Sequence, residues 1–165
     1  MKNILIILIV SFVTIFTSCS TMKQSIVKNK RLTEKKATFL LNSNGNVFYL
    51  YSTYSTFSTV WSYRNDTIEI YRLAKGKLIN KEEYKNAGIT SFKKPSIKDL
   101  DSDINKCGIV LDGDIFGFEF NKNTPPNLYN QITTDLECFK TQKYQSQFLN
   151  KLVEDVNTYK LWDVQ

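Results

Sequence analysis

The first nineteen residues constrain this chain more than any other stretch. Lys2 supplies an early positive charge, and an almost unbroken apolar run extends from Ile4 to Phe16. Small residues then close the stretch before Cys19. A positive start, an apolar centre and a small-residue end are the three parts of a secretory signal. The apolar run is also shorter than the roughly 20 residues that a membrane-spanning helix needs. The sequence therefore predicts export from the cytosol.

The end of this stretch places a cysteine directly after the expected cleavage point. Because Thr17, Ser18 and Cys19 occupy these positions, the stretch resembles the signal peptide of bacterial membrane lipoproteins. The resemblance covers residues 1–19 alone. It implies that Cys19 is lipidated, becomes the mature N-terminus and anchors the protein to the cell membrane or outer membrane, facing the periplasm or the exterior. Conventional cleavage after Ser20 is the alternative.

Charge divides the rest of the chain into two parts. The net charge of +6 comes largely from residues 19–36, where Glu34 is the single acid, whereas basic and acidic residues are equal in number from Ala37 onward. We therefore expect a signal peptide at 1–18, a basic tether at 19–36 and one globular domain at 37–165. Such a tether either lies against anionic headgroups or is a solvated spacer. The neutral domain and the exported location argue against a nucleic-acid partner.

The pattern after residue 37 predicts an α+β fold, mainly an antiparallel sheet built as a meander of hairpins with a C-terminal amphipathic helix packed on it. Asn44-Gly45 suits a type I′ hairpin turn between strands at 38–41 and 47–52. The other expected elements are strands over 57–63, 67–73 and 116–120, a short helix over 81–87, and a helix over 146–160. Residues 127–140 fit a helix or a strand, and their β-branched residues favour a strand.

Aromatic residues are concentrated in the first part of the predicted meander. They offer one candidate binding surface, a platform on which a sugar or peptide would stack, formed by Tyr49, Tyr51, Tyr54, Phe57, Trp61 and Tyr63. The simpler interpretation is a half-buried sheet, because aromatic side chains have a high propensity for strands. We favour the sheet, since no cluster of acids and amides accompanies the aromatic residues.

Two cysteines remain if Cys19 is lipidated. Cys107 and Cys138 are candidates for a disulfide, because an exported protein lies outside the reducing cytosol. Two buried free thiols are the alternative. A metal site suits the sequence less well, since two thiols without any histidine leave half of a tetrahedral zinc shell unfilled. We expect no metal and no cofactor.

The absence of histidine also narrows the range of functions. It excludes Ser–His and Cys–His nucleophile pairs. Asp99, Asp101 and Asp103 begin like a calcium loop, but Ile104 and Val110 stand where that loop requires Gly and Glu. We expect a lipid-anchored cell-envelope protein with a small non-catalytic binding or structural domain, whose partner is an envelope protein or a glycan. The alternative is a small histidine-free envelope enzyme, a hydrolase or transferase that uses carboxylates.

Overall fold

A six-stranded antiparallel sheet with helices on both faces forms the centre of the molecule in the computed structural model. The structure describes residues 2–52, 55–85, 103, 106–107, 113–120 and 131–162. The helices are α1 (Lys2–Asn44), α2 (Leu136–Thr141) and α3 (Gln147–Thr158). The strands are β1 (Asn46–Ser52), β2 (Phe57–Arg64), β3 (Thr67–Ala74), β4 (Lys77–Lys85), β5 (Asp114–Phe120) and β6 (Gln131–Thr134). The predicted α+β class is confirmed.

The strand order is β4-β3-β2-β1-β5-β6, and every neighbouring pair is antiparallel. The first four strands form a meander, in which β1, β2 and β3 coincide with the strands predicted over 47–52, 57–63 and 67–73. Asn65 and Lys75 adopt positive φ in the tight β2–β3 and β3–β4 turns. β5 pairs with the other side of β1. This places β5 and β6 beyond the meander, at the opposite edge from β4.

One face of the sheet packs against α2 and α3. Phe48 and Trp61 are fully buried there, together with the alternating Phe116 and Phe118 of β5. Ser146 caps α3 by accepting a hydrogen bond from the Leu149 amide, which satisfies one of the free donors at the helix start. The predicted apolar stripe of this helix is confirmed, since its central residues Leu149, Leu152 and Val156 are buried.

The opposite face packs against α1, which corrects two expectations. Residues 38–41 are the last turns of a helix rather than a strand. Gly45 has a φ of 76° and donates its backbone N–H to the Leu41 carbonyl at 3.0 Å, a helix-ending geometry. Asn44-Gly45 therefore ends α1 instead of forming a hairpin turn. A glycine with positive φ serves both roles, so the local sequence does not distinguish them.

The expected tether at 19–36 is also helical, and its second half belongs to the packed domain. Asn29 and Thr33 are only 2 % and 3 % exposed. With Ala37 and Leu40, they follow the spacing of three to four residues that places side chains on one helix face. The interpretation of residues 29–36 as a solvated spacer is therefore wrong, because Asn29 and Thr33 pack against the sheet while the charged side chains between them stay exposed.

The expected helix over 81–87 is wrong as well. Residues 81–85 belong to β4, an edge strand that pairs with β3 along its length, and residues 86–87 lie outside the described part of the chain. Exposed charged side chains on an edge strand discourage pairing with other chains. Within 127–140, the favoured strand is present as β6, but residues 136–140 belong to α2. Residues 127–130 lie outside the described residues.

Candidate functional site

The main candidate site is a groove beside α1. This helix packs on β1 and β2, and no other described element covers the β5 side of the same face. The groove encloses about 300 Å³, near the lower end of the range for small-ligand sites. Its walls come from α1, β1 and β5. They are formed by Lys30, Thr33, Glu34, Ala37, Thr38, Tyr49, Tyr51 and Glu119.

Two tyrosines form the aromatic part of this groove. Tyr49 and Tyr51 are two residues apart in β1, so both side chains leave the sheet on the α1 face. Their rings are stacked, with centroids 6.1 Å apart. Tyr49 lies across β5 at Gly117, where a Cβ atom would overlap the tyrosine ring. Glycine at position 117 therefore allows the aromatic pair to lie flat against the sheet.

Two carboxylates accompany the aromatic pair. Glu119 stands opposite Val47 in the register of β5 and β1, on the same face as Tyr49. Burial raises the pKa of Glu119, and no basic side chain within the described ranges forms an ion pair with it. The pKa of Tyr51 is raised first by burial and second by the negative charge of Glu34. Among the described residues of the lining, Lys30 is the one cation.

A smaller cavity of about 140 Å³ adjoins the groove and shares Lys30, Thr33 and Tyr51 with it. Buried polar contacts hold α1 to the sheet beside this cavity. Asn29 Nδ2 donates to Ser58 Oγ at 3.0 Å, and the hydroxyl groups of Thr33 and Ser58 are 2.7 Å apart. These buried hydrogen bonds hold the helix in one position on the sheet, because a shift of the helix would leave buried donors without acceptors. The groove is thus built on a defined α1–sheet contact.

The structure does not bring the six predicted aromatic residues together. Tyr49 and Tyr51 line the groove, whereas Trp61 and Tyr63 are buried on the other face beneath α3. Phe57 is partly buried at the start of β2, and Tyr54 lies outside the described residues. The six-residue platform is therefore wrong, because strand alternation sends its members to opposite faces. The described aromatic residues are part of the sheet, as the simpler interpretation expected, but Tyr49, Trp61 and Tyr63 are buried because helices cover both faces.

A second polar group lies within the core under α3. Tyr63 donates its hydroxyl proton to Asp155 Oδ2 at 2.8 Å, and Lys151 Nζ donates to Oδ1 of the same carboxylate at 2.6 Å. Trp61 Nε1 donates to the tyrosine oxygen at 3.2 Å. Burial raises the pKa of Asp155, while Lys151 and Tyr63 oppose this rise. These bonds satisfy every member, so we assign this network a structural role in fixing α3 on the sheet.

The two cysteines considered for a disulfide are bonded in the structure. Cys107 and Cys138 have Cα atoms 5.7 Å apart, within the range that a bridge spans without backbone movement. The bridge ties α2 to residues 106–107, which precede β5. Cys19 lies within α1, ten residues before Asn29, which is the first buried residue from Thr21 onward.

Sequence reasoning missed the groove residues of α1 and β5. Lys30 and Glu34 lie in the predicted tether, and Glu119 lies in the strand predicted over 116–120 without a predicted role. The signal that could have revealed them is the spacing of Asn29, Thr33, Ala37 and Leu40, which marks a helix face of small and polar residues.

Within the described ranges, no group of three or more Cys, Asp or Glu side chains is placed to hold a metal ion. No helix among these residues combines the length and the apolar character required to cross a membrane. Comparison with known protein families, with curated proteins and with solved structures finds no match.

Proposed function

We propose that this protein is a lipid-anchored cell-envelope protein whose small domain binds a ligand without catalysing a reaction. The observation that carries the proposal is the continuity of α1. This helix contains Cys19, the cysteine of the lipoprotein-like signal, and continues unbroken to Asn44 on the sheet. The disulfide agrees with an oxidising compartment, since such bridges are rare in the cytosol.

The helix geometry supports a short link between anchor and domain. About ten residues separate Cys19 from Asn29, where α1 is buried against the sheet. At 1.5 Å per residue, a helix covers roughly 15 Å over that length. A lipidated Cys19 would therefore hold the sheet within about two nanometres of the bilayer surface, on a helical stalk rather than a flexible linker.

The groove beside α1 is the proposed ligand site, and a sugar unit of an envelope glycan is the proposed ligand. The partly exposed ring of Tyr51 provides a flat apolar surface for stacking, and the buried ring of Tyr49 supports it from the side. Carboxylates accept hydrogen bonds from hydroxyl groups, and Glu119 and Glu34 supply such acceptors. The lining of the groove is mainly polar, which suits a hydroxyl-rich ligand such as a sugar better than an apolar one.

A carboxylate-based hydrolase or transferase is the second candidate. One observation favours it: burial raises the pKa of Glu119, as is required of a carboxylic acid that donates a proton near neutral pH. Glu34 is the other carboxylate in the groove. If this candidate is right, Glu119→Gln abolishes turnover of a bound glycan. If the groove only binds, no product forms with either protein.

The anchor is tested by replacing the lipidated residue. Cys19→Ser should abolish incorporation of labelled palmitate and leave an uncleaved precursor, because no thiol remains to receive the lipid. Ser20→Ala is the matched control, since it changes the neighbouring residue and keeps the thiol. Normal palmitate labelling of the Cys19→Ser protein would overturn the lipoprotein assignment.

The groove is tested by titrating the purified protein with glucosamine and N-acetylglucosamine while recording NMR spectra. We expect saturable shifts confined to residues around the groove, and a weakening of binding by about tenfold in Tyr51→Ala, because stacking on one ring is worth about 1 kcal/mol or slightly more. Tyr84→Ala removes an exposed tyrosine of β4 as a control. Equal binding by the two variants would remove the groove as the site.

A further inference from the structure

The packing of α1 shows which end of the sheet lies nearest to Cys19. Near the start of the packed part of α1, Asn29 Oδ1 accepts a hydrogen bond from the Gly76 amide in the β3–β4 turn, at 3.2 Å. At the other end of the helix, Asn44 Nδ2 donates to Ser62 and Glu69, each at 3.1 Å. The helix therefore runs along the sheet away from the β3–β4 turn. This turn lies at the Cys19 end of the domain.

Basic side chains from two elements meet at that end. Lys75 and Lys77 flank Gly76 in the turn, and both are exposed. Lys28 is exposed on α1 and lies directly beside the turn. A Cβ atom on Gly76 would lie 2.7 Å from Lys28 Cβ and 3.3 Å from the Lys28 carbonyl carbon. The absence of a side chain at position 76 allows this close approach. We call Lys28, Lys75 and Lys77 the basic surface.

The basic surface carries charge that no described acidic residue compensates. None of its three lysines forms an ion pair with such a residue, whereas Arg72 pairs with Glu82 at 2.7 Å and Lys81 lies 3.8 Å from Glu69. These pairs lie further along the strands, away from the Cys19 end.

At the opposite end of the meander, Arg64 and Lys85 also lack an ion pair with a described acid, but the exposed acids Asp66 and Glu83 lie two residues from them in the sequence. No acidic residue lies within two positions of the three lysines of the basic surface, so positive charge predominates at the Cys19 end.

We propose that the basic surface rests on anionic lipid headgroups and sets the orientation of the anchored domain. The inference rests on the proposed lipid anchor, since Cys19 brings this end of the sheet to the bilayer. Each lysine near an anionic membrane surface strengthens binding about fivefold at physiological salt, so three lysines together give a bias of roughly a hundredfold. The sheet then stands on its β3–β4 turn, with the opposite ends of its strands directed away from the membrane.

Hydrogen exchange of the full lipidated protein in nanodiscs tests this orientation. One set of discs contains phosphatidylcholine alone, and the other contains one-third phosphatidylglycerol. We expect the amides of residues 75–77 to exchange at least fivefold more slowly in the anionic discs at low salt. This protection should disappear in 0.5 M NaCl, where the Debye length falls below about 5 Å.

Matched variants separate this effect from other causes. The double variant Lys75→Gln with Lys77→Gln should lose the protection. The double variant Lys81→Gln with Lys85→Gln, whose positions in β4 lie further from the turn, should keep it. Equal exchange in the two kinds of disc, or protection that survives the Lys75 and Lys77 substitutions, would overturn the proposal. Failure of the anchor itself gives a different result, because an unlipidated protein would not be retained in discs of either composition.

Discussion

Leu40 provides the sharpest test of whether α1 is part of the folded domain. Its side chain is fully buried between α1 and the sheet, in a cluster with Val47, Tyr49 and Val60. Leu40→Ala removes the transfer free energy of the lost atoms and leaves a cavity. Buried leucines truncated in this way cost 2–5 kcal/mol. We expect about 3 kcal/mol here, because the hydrogen-bonded sheet below the residue cannot collapse to fill the space.

The adjacent Phe39 supplies the control. It is 56 % exposed, and its ring contacts Lys36, with Nζ 5.1 Å from the ring centroid. Phe39→Ala should therefore cost no more than about 1 kcal/mol. Urea unfolding followed by the fluorescence of the buried Trp61 measures both values. For a domain of this size, a 3 kcal/mol loss lowers the midpoint of thermal unfolding by roughly 9 °C. Equal stabilities of the two variants would show that α1 does not pack as described.

Three further predictions concern the rest of the domain. Denatured, unreduced protein should show no reactive thiol at Cys107 or Cys138, and two titratable thiols would show that the bridge is absent. The bridge should contribute roughly 3.5 kcal/mol to the free energy of unfolding by the loop-closure estimate, measured by comparing stability with and without reductant. Leu152→Asp should destabilise by several kcal/mol in urea, because it places an unpaired charge in the core, while the exposed Glu154→Gln should be nearly neutral. Gly117→Ala should lower the free energy of unfolding by about 1–3 kcal/mol, because the added Cβ atom overlaps the Tyr49 ring. In the double variant, Tyr49→Ala should relieve that overlap. If the losses of the two single variants simply add in the double variant, the contact between the two residues is contradicted.

Elements with a strong local pattern could be predicted from the sequence. The alternation of β3 and β5 and the apolar stripe of α3 are visible within a few residues, and all three lie where the pattern indicated. The packed part of α1 was not predictable in this way. Its buried face includes Asn29 and Thr33, whose partner Ser58 lies 29 and 25 residues further along the chain. Local sequence predicts solvent exposure for a polar helix face, because the distant residue that it packs against is not visible in the same stretch.

Prediction of the groove likewise required knowledge of contacts between residues that are distant in the sequence. Aromatic residues in β1 and β2 were evident, but the face that each occupies follows from the pairing of strands. Tyr49 stands opposite Val60, which places it on the α1 face, while Phe48 stands opposite Trp61 beneath α3. The groove additionally required knowing that α1 stops short of β5. Neither the strand register nor the position of the helix on the sheet can be predicted from a short stretch of sequence.

The mass of the intact protein extracted from membranes tests the central claim most directly. The claim is that the chain begins at a lipidated Cys19, whose helix leads into the folded domain. The measurement should give a chain starting at residue 19 with added acyl mass, and fragmentation should place that mass on Cys19. An unmodified chain starting at Thr21, or a chain that retains residues 1–18, would contradict it.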